Sequence, residues 1–127
     1  MAQMSPGATS AVSSFAGSLG LEARPASDGS YNFIFERLGT LSIAAAEDGR
    51  TAIIALSRQP RTNAATSELS LLAQAGFSMA YNRIVHAALA ADGSHVLAVE
   101  MDDTALNLPE LDDALRVLGN LHDAVAR

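Results

Sequence analysis

The stretch Tyr31-Asn-Phe-Ile-Phe-Glu-Arg37, Leu38-Gly39, Thr40-Leu-Ser-Ile-Ala-Ala-Ala-Glu47, Asp48-Gly49, Arg50-Thr-Ala-Ile-Ile-Ala-Leu56 decides the fold. It contains three β-prone runs parted by two dipeptides that end in glycine. Asp48-Gly49 is a strong hairpin signal, because both central residues of a type I′ turn need positive φ. A two-residue turn there sets Glu47 opposite Arg50, Ala45 opposite Ala52, Ile43 opposite Ile54 and Leu41 opposite Leu56. These pairs share one side of the sheet and form one apolar face. The other face carries Ser42, Ala44 and Ala46 beside Thr51, Ile53 and Ala55. Extending the meander through Leu38-Gly39 places Ile34 opposite Ile43 and projects Tyr31, Phe33 and Phe35 from the second face, over small neighbours. Such a face needs cover.

Helical periodicity flanks this meander. Before it, Val12, Phe15, Ala16 and Leu19 recur at i, i+3, i+4 and i+7, predicting a helix from about Thr9 to Leu19 with Gly20 as its C-terminal stop. Residues 1–8 read as a mobile arm. After the meander, Thr62 or Asn63 caps a second helix over about Ala64 to Ala75, stopped by Gly76, with Ala65, Leu69, Leu72 and Ala73 on its buried side. A second hairpin joins Ile84–Ala90 to His95–Met101. A turn at Asp92-Gly93 pairs Leu89 with Val96, Ala87 with Ala98 and Val85 with Glu100, and leaves both faces largely apolar; a longer loop would alter that pairing. Strands apolar on both faces are usually covered on both, and a partner is the simplest cover for the second. The last helix runs from about Leu108 to Ala126. Asn107 and Glu110 resemble a capping box, and Leu111, Leu115, Leu118, His122 and Val125 form its apolar stripe.

Composition bounds the rest. The 127 residues suffice for one α+β domain with one core. Aromatic residues are only 5% and Trp is absent, so the core is built mainly from Leu, Ile, Val and Ala. A lean core of that kind often gains stability from an oligomer. The net charge of −6 and the scattered arginines argue against nucleic acid and anionic membranes as partners. Absence of cysteine removes disulfides, thiolate nucleophiles and Cys-based zinc sites. The first ten residues lack a basic segment followed by an apolar one, so no secretory signal is expected, and no apolar run is long enough to span a bilayer.

The residues that could carry chemistry do not converge. His86 and His95 could approach one another across the second hairpin, but three or four ligands at metal spacing are not present, and no metal is expected. Asp102-Asp103 and Asp112-Asp113 read as a solvated strand end and a dipole-matched first helical turn. No nucleophile elbow and no phosphate-binding glycine loop occurs, and all eight basic residues are Arg, which excludes Schiff-base chemistry. We therefore expect no enzymatic activity and no cofactor. The remaining candidate surface is the aromatic strand with Phe15 and Leu19, an ordinary core cluster or an apolar groove for an extended peptide.

The predicted order of helix, three strands, helix, two strands and helix resembles the class I type III secretion chaperones, small acidic dimeric proteins that escort bacterial effectors. The resemblance rests on Phe15-Ala-Gly-Ser-Leu-Gly-Leu21, Phe33-Ile34-Phe35 leading to Leu41-Ser42-Ile43, Asp48-Gly49, Ile53-Ile-Ala-Leu56, Leu69 and Leu72, Ala91-Asp92-Gly93 and Leu108-Pro-Glu-Leu111. It spans about Val12 to Arg127. The segment Gly76-Phe-Ser-Met-Ala-Tyr-Asn82 departs from it, where a smaller, glycine-rich link is expected. The resemblance implies a cytoplasmic bacterial homodimer without catalytic activity. Its partner would be the N-terminal chaperone-binding segment of an effector, held extended, with the secretion-system ATPase as a further partner. Carried over, Phe15, Leu19, Tyr31, Phe33 and Phe35 become candidate effector contacts. Leu69, Leu72, Ile84, Val85 and Ala87 become candidate dimer contacts. The competing expectation is a small α+β ligand-binding or regulatory module, which would show a closed sheet–helix pocket with converging polar groups instead of an open apolar strip.

Overall fold

The computed structural model describes residues 4–60, 64–79 and 81–125. Helix α1 (Pro6–Ser18) precedes strands β1 (Tyr31–Phe35), β2 (Gly39–Ala45) and β3 (Thr51–Arg58). Helix α2 (Ala64–Ala73) leads to β4 (Gly76–Ser78), β5 (Arg83–Leu89) and β6 (His95–Asp102), a 3-10 turn (Asp103–Ala105) and helix α3 (Leu108–Val125). The strands form one antiparallel sheet in the order β1-β2-β3-β6-β5-β4. The fold is thus α+β, as expected, with one strand more than the sequence suggested. That strand, β4, falls in the Gly76–Asn82 segment.

Loop length sets the register of each hairpin. Between β2 and β3, Ala46 N–H donates to the Thr51 carbonyl (2.8 Å) and Gly49 N–H to the Ala46 carbonyl (3.1 Å), so residues 47–50 form a four-residue loop. An even loop keeps the register of a two-residue turn, and Leu41↔Leu56, Ile43↔Ile54 and Ala45↔Ala52 pair as predicted. Asp48 braces this loop by accepting from the Arg50 and Thr51 N–H groups and the Thr51 hydroxyl. Those three donors hold its carboxyl below the usual carboxylate range.

The other two hairpins have odd loops, which reverse the faces. Phe35 pairs with Gly39 across residues 36–38, so Tyr31 lies opposite Ile43 and Phe33 opposite Leu41. Tyr31 and Phe33 therefore enter the core, and Ile34, expected inside, stands 82% exposed on the outer face. In the second hairpin, Ala90 N–H donates to the Ser94 carbonyl and Gly93 N–H to the Ala90 carbonyl, enclosing residues 91–93. Leu89 consequently pairs with His95, Ala87 with Leu97 and His86 with Ala98. Val85 and Ala87 point inward with Leu97 and Val99, whereas Ile84, His86, Ala88, Val96 and Ala98 lie on the outer face. His86 and His95 end on opposite faces and do not meet.

The inner face carries Leu41, Ile43, Ala52, Ile54, Leu56, Val85, Leu97, Val99 and Met101, all buried. Helices α1 and α3 cover it. α3 contributes Leu111, Ala114, Leu118, His122 and Val125, the predicted stripe with Leu115 half-buried. Its cap is Asn107, whose side-chain oxygen accepts from Glu110 N–H at 2.8 Å. α1 starts earlier than predicted, which takes residues 6–8 out of the expected mobile arm. The Ser5 hydroxyl accepts from Ala8 N–H (3.2 Å), and Pro6 at the first helical position lacks the N–H that would go unpaired there. Ser5 N–H in turn donates to Asp103 at 2.8 Å. Asp103 is thereby buried, not solvated, and ties the start of α1 to the end of β6.

α2 is turned opposite to expectation. Ser67 and Leu71, four residues apart, form its buried side, whereas Leu69, Leu72 and Ala73 are exposed. The caps expected at Thr62 or Asn63 lie outside the described residues, as does the side chain of Ala65.

Gly39 is the most constrained glycine. Its φ is +111°, and an added Cβ would lie 2.1 Å from the Ser57 carbonyl oxygen. Gly49 also has positive φ (+69°) but faces open space. Gly39→Ala should therefore cost at least ~3 kcal/mol, and Gly49→Ala about 1 kcal/mol. Urea denaturation of the two variants checks this through the shift in midpoint.

Candidate partner-binding surfaces

The sequence-predicted residues divide by burial. Phe15 is fully buried and meets Phe33 edge-to-face, with ring centroids 5.6 Å apart. Tyr31 lies buried on the same strand face. These three side chains hold α1 to β1 and leave almost no surface for a partner. Phe35 is half-buried, and Leu19, in the C-cap of α1, is exposed. Leu21 beside it is exposed too, because the reversal at Gly20 (φ +72°) returns Leu21 N–H to the Ala16 carbonyl at 2.9 Å. The accessible apolar groups in this part of the chain are Leu19 and Leu21 after α1, the half-buried Phe35 at the end of β1, and Ile34 on the reverse side of that strand.

The second region lies at the opposite edge of the sheet. Leu69 and Leu72 on α2 are 71% and 61% exposed, and Ile84 on β5 is 57% exposed. Val85 is buried and Ala87 half-buried, both on the inner face, because the odd loop turned them there. Sequence reasoning missed Phe77 (61% exposed), which pairs directly with Ile84, and Met79 (89% exposed). The signal was present in the Phe-Ser-Met run that departs from the expected glycine-rich link. Arg83 anchors this edge to α3 by an ion pair to Glu110 at 3.2 Å, and its guanidinium stands 5.8 Å from the centre of the Tyr81 ring. Burial pushes the Tyr81 phenol upward against the opposing pull of Arg83.

Among the described residues no cluster of three or more His, Asp or Glu side chains could hold a metal ion. A cleft of about 560 Å³ lies at the rim of the sheet, lined by Glu36, Arg37, Thr40, Ser57, Arg58 and Asp92 among others. It does not lie between sheet and helices, where the core side chains are packed. Among the described residues no helix is long and apolar enough to cross a membrane.

The architecture is that of type III secretion chaperones. It is similar to SycH of Yersinia pestis, solved in complex with a stable fragment of YscM2, with a TM-score of 0.71 at 17% identity over 93% of this chain and 98% of that one. It is similar also to the HopA1–SchA chaperone–effector complex (TM-score 0.66, 14% identity, 94% and 93% covered) and to the ExsC–ExsE complex (0.68, 13%, 90% and 86%). The sequence matches the profile of the type III secretory system chaperone SycN family over residues 8–126, and the chain belongs to that family. It is accordingly a chaperone and not an enzyme. A comparison with curated proteins finds no match.

The two classes of predicted residue should separate experimentally. Phe33→Ala is expected to destabilise the fold by ~3–5 kcal/mol, as a large core truncation does. Leu19→Ser should leave stability within ~0.5 kcal/mol. Chemical denaturation of both variants distinguishes a core role from a surface role at each position.

Proposed function

We propose that the chain acts in the bacterial cytoplasm as a homodimeric chaperone that holds the N-terminal segment of one or more effectors in extended, secretion-competent form. The observation that carries this reading is the pair of exposed apolar regions at the two edges of the sheet, on a chain that belongs to a chaperone family. Leu69, Leu72, Phe77, Met79 and Ile84 form the dimer surface, and Leu19, Leu21, Phe35 and Ile34 contact the effector. The secretion-system ATPase is a further partner of the loaded dimer.

Exposure of Leu69, Leu72, Phe77, Met79 and Ile84 supports the dimer, because a partner would take this apolar group of side chains out of water. The alternative of a ligand-binding module is weaker, because the space between sheet and helices is filled by Phe15, Leu41, Ile54, Leu97 and Leu118.

Size-exclusion chromatography with light scattering tests the assembly. The expected mass is close to twice 13.2 kDa. Leu69→Asp combined with Leu72→Asp should return it to the chain mass with the fold retained by circular dichroism. Co-expression with effector N-terminal segments should yield a co-eluting complex that Leu19→Asp with Ile34→Asp weakens without changing the dimer. A wild-type monomer that retains no such segment would overturn the reading.

A further inference from the structure

The end of α3 is seated on the sheet through an unusual set of basic groups. His122, in the last turn of α3, is 2% exposed. Its Nε2 lies 2.7 Å from the backbone carbonyl oxygen of Leu56 in β3. A carbonyl can only accept, so Nε2 carries the hydrogen and the neutral imidazole leaves Nδ1 bare.

Among the described residues the surroundings are poor in negative charge. Arg58, the last residue of β3, stands directly opposite His95, the first residue of β6. His95 is 3% exposed and faces the same end of the core. Arg58 donates through Nε to the Leu38 carbonyl (3.0 Å) and through Nη1 to Asp123 (2.8 Å). Asp123 is the carboxylate acting on His122, and it is already engaged by Arg58. Among the described residues the charged or titratable groups acting on His122 are thus Arg58 from β3, His95 from β6 and Asp123 from its own helix. The negative end of the α3 dipole favours an imidazolium, but burial opposes it.

We propose that His122 is a pH-sensitive latch, whose neutral imidazole keeps the last turns of α3 on the sheet and whose protonation releases them. Burial, the largest influence, outweighs the Leu56 carbonyl contact, which favours the charged ring, and together with Arg58 and His95 it keeps the His122 imidazole below its ordinary value near 6.5. An unfolded or locally opened chain takes up the proton as pH falls through that value, whereas the seated form resists it. The open form binds more protons, so the seated form loses stability as pH falls below about 6.5, and the loss levels off only below the depressed value. The carboxylates whose values are lowered, such as Asp48, act in a more acidic range and leave this window to the imidazole. The opening is local: it frees the segment around Leu118 to Val125 while the β2–β3 ladder stays paired.

The test is amide hydrogen exchange at pH 7.5 and 5.0 on the whole chain, corrected for the intrinsic pH dependence of exchange. Protection across residues 118–125 should fall by about tenfold or more at the lower pH, while residues 41–45 keep theirs. His122→Gln retains an N–H that can reach the Leu56 carbonyl and cannot titrate, so it should abolish the pH dependence. His86→Gln, on the exposed outer face, should preserve it. An NMR titration of the wild-type His122 ring needs no variant and should give a midpoint below the ordinary imidazole value near 6.5. Protection in 118–125 that does not change with pH, an equal loss across the whole sheet, or a His122 midpoint at or above about 6.5 would each overturn the latch.

Discussion

The antiparallel pairing of β3 with β6, from Thr51↔Asp102 to Arg58↔His95, is the contact on which the rest depends. It joins two units, each of which has only half an inner face, into one sheet. Without it Ile54 and Leu56 would lack Val99 and Leu97 beside them, and α3 would have no continuous surface to cover. The pairing is far from local, since α2, β4 and β5 intervene, and its closure entropy must be offset by burial on the inner face. The same junction fixes both helices. Asp103, just beyond β6, holds the start of α1, and Leu56 receives His122 from α3.

Much of this architecture was legible because its signals are local. The stripe of α3, its Asn107 cap and the register at Asp48 are set by residues a few positions apart. Register at the other two hairpins was not legible from turn residues alone, because a glycine after a turn fits both an even and an odd loop. Face consistency would have decided one of them. Only the odd loop before Gly39 places Tyr31 and Phe33 beside Leu41 and Ile43, with the rest of the apolar face. The orientation of α2 was ambiguous for a different reason. Leu69, Leu71, Leu72 and Ala73 surround much of the helix, so periodicity does not choose a side; the packing of Leu71 does. The β3–β6 pairing has no local signature.

The candidate surfaces were legible in part: Val85 and Ala87 went inward with the odd loop, and the candidate effector contacts that proved buried share another cause. Aromatic residues drew attention as possible binding groups, yet in a chain with 5% aromatics they are the largest side chains available to the core. Phe15, Tyr31, Phe33 and Tyr81 are spent on packing. Phe35 is half-buried and Phe77 exposed, and the exposure of Phe77 is informative because large apolar groups are scarce here. Leu69, Leu72 and Ile84, singled out as candidate dimer contacts, are exposed, although Leu69 and Leu72 had been assigned to the buried side of their helix.

The exposed apolar groups and the acidic charge belong to one physical arrangement. A chain with Leu69, Leu72, Phe77 and Met79 open to water is at risk of indiscriminate association. A net charge of −6 opposes approach between copies in arbitrary orientations, over a range of roughly 8 Å at physiological salt. Only an interface that buries enough apolar area overcomes that repulsion, so charge converts general stickiness into selectivity. The sheet edges follow the same logic. β4 offers three residues for pairing and ends at the Met79 turn, too short to template an extended partner by backbone pairing alone. β1 presents five residues with Ile34 outward, so backbone pairing and side-chain contact can act together at that edge, while β4 must rely on its side chains.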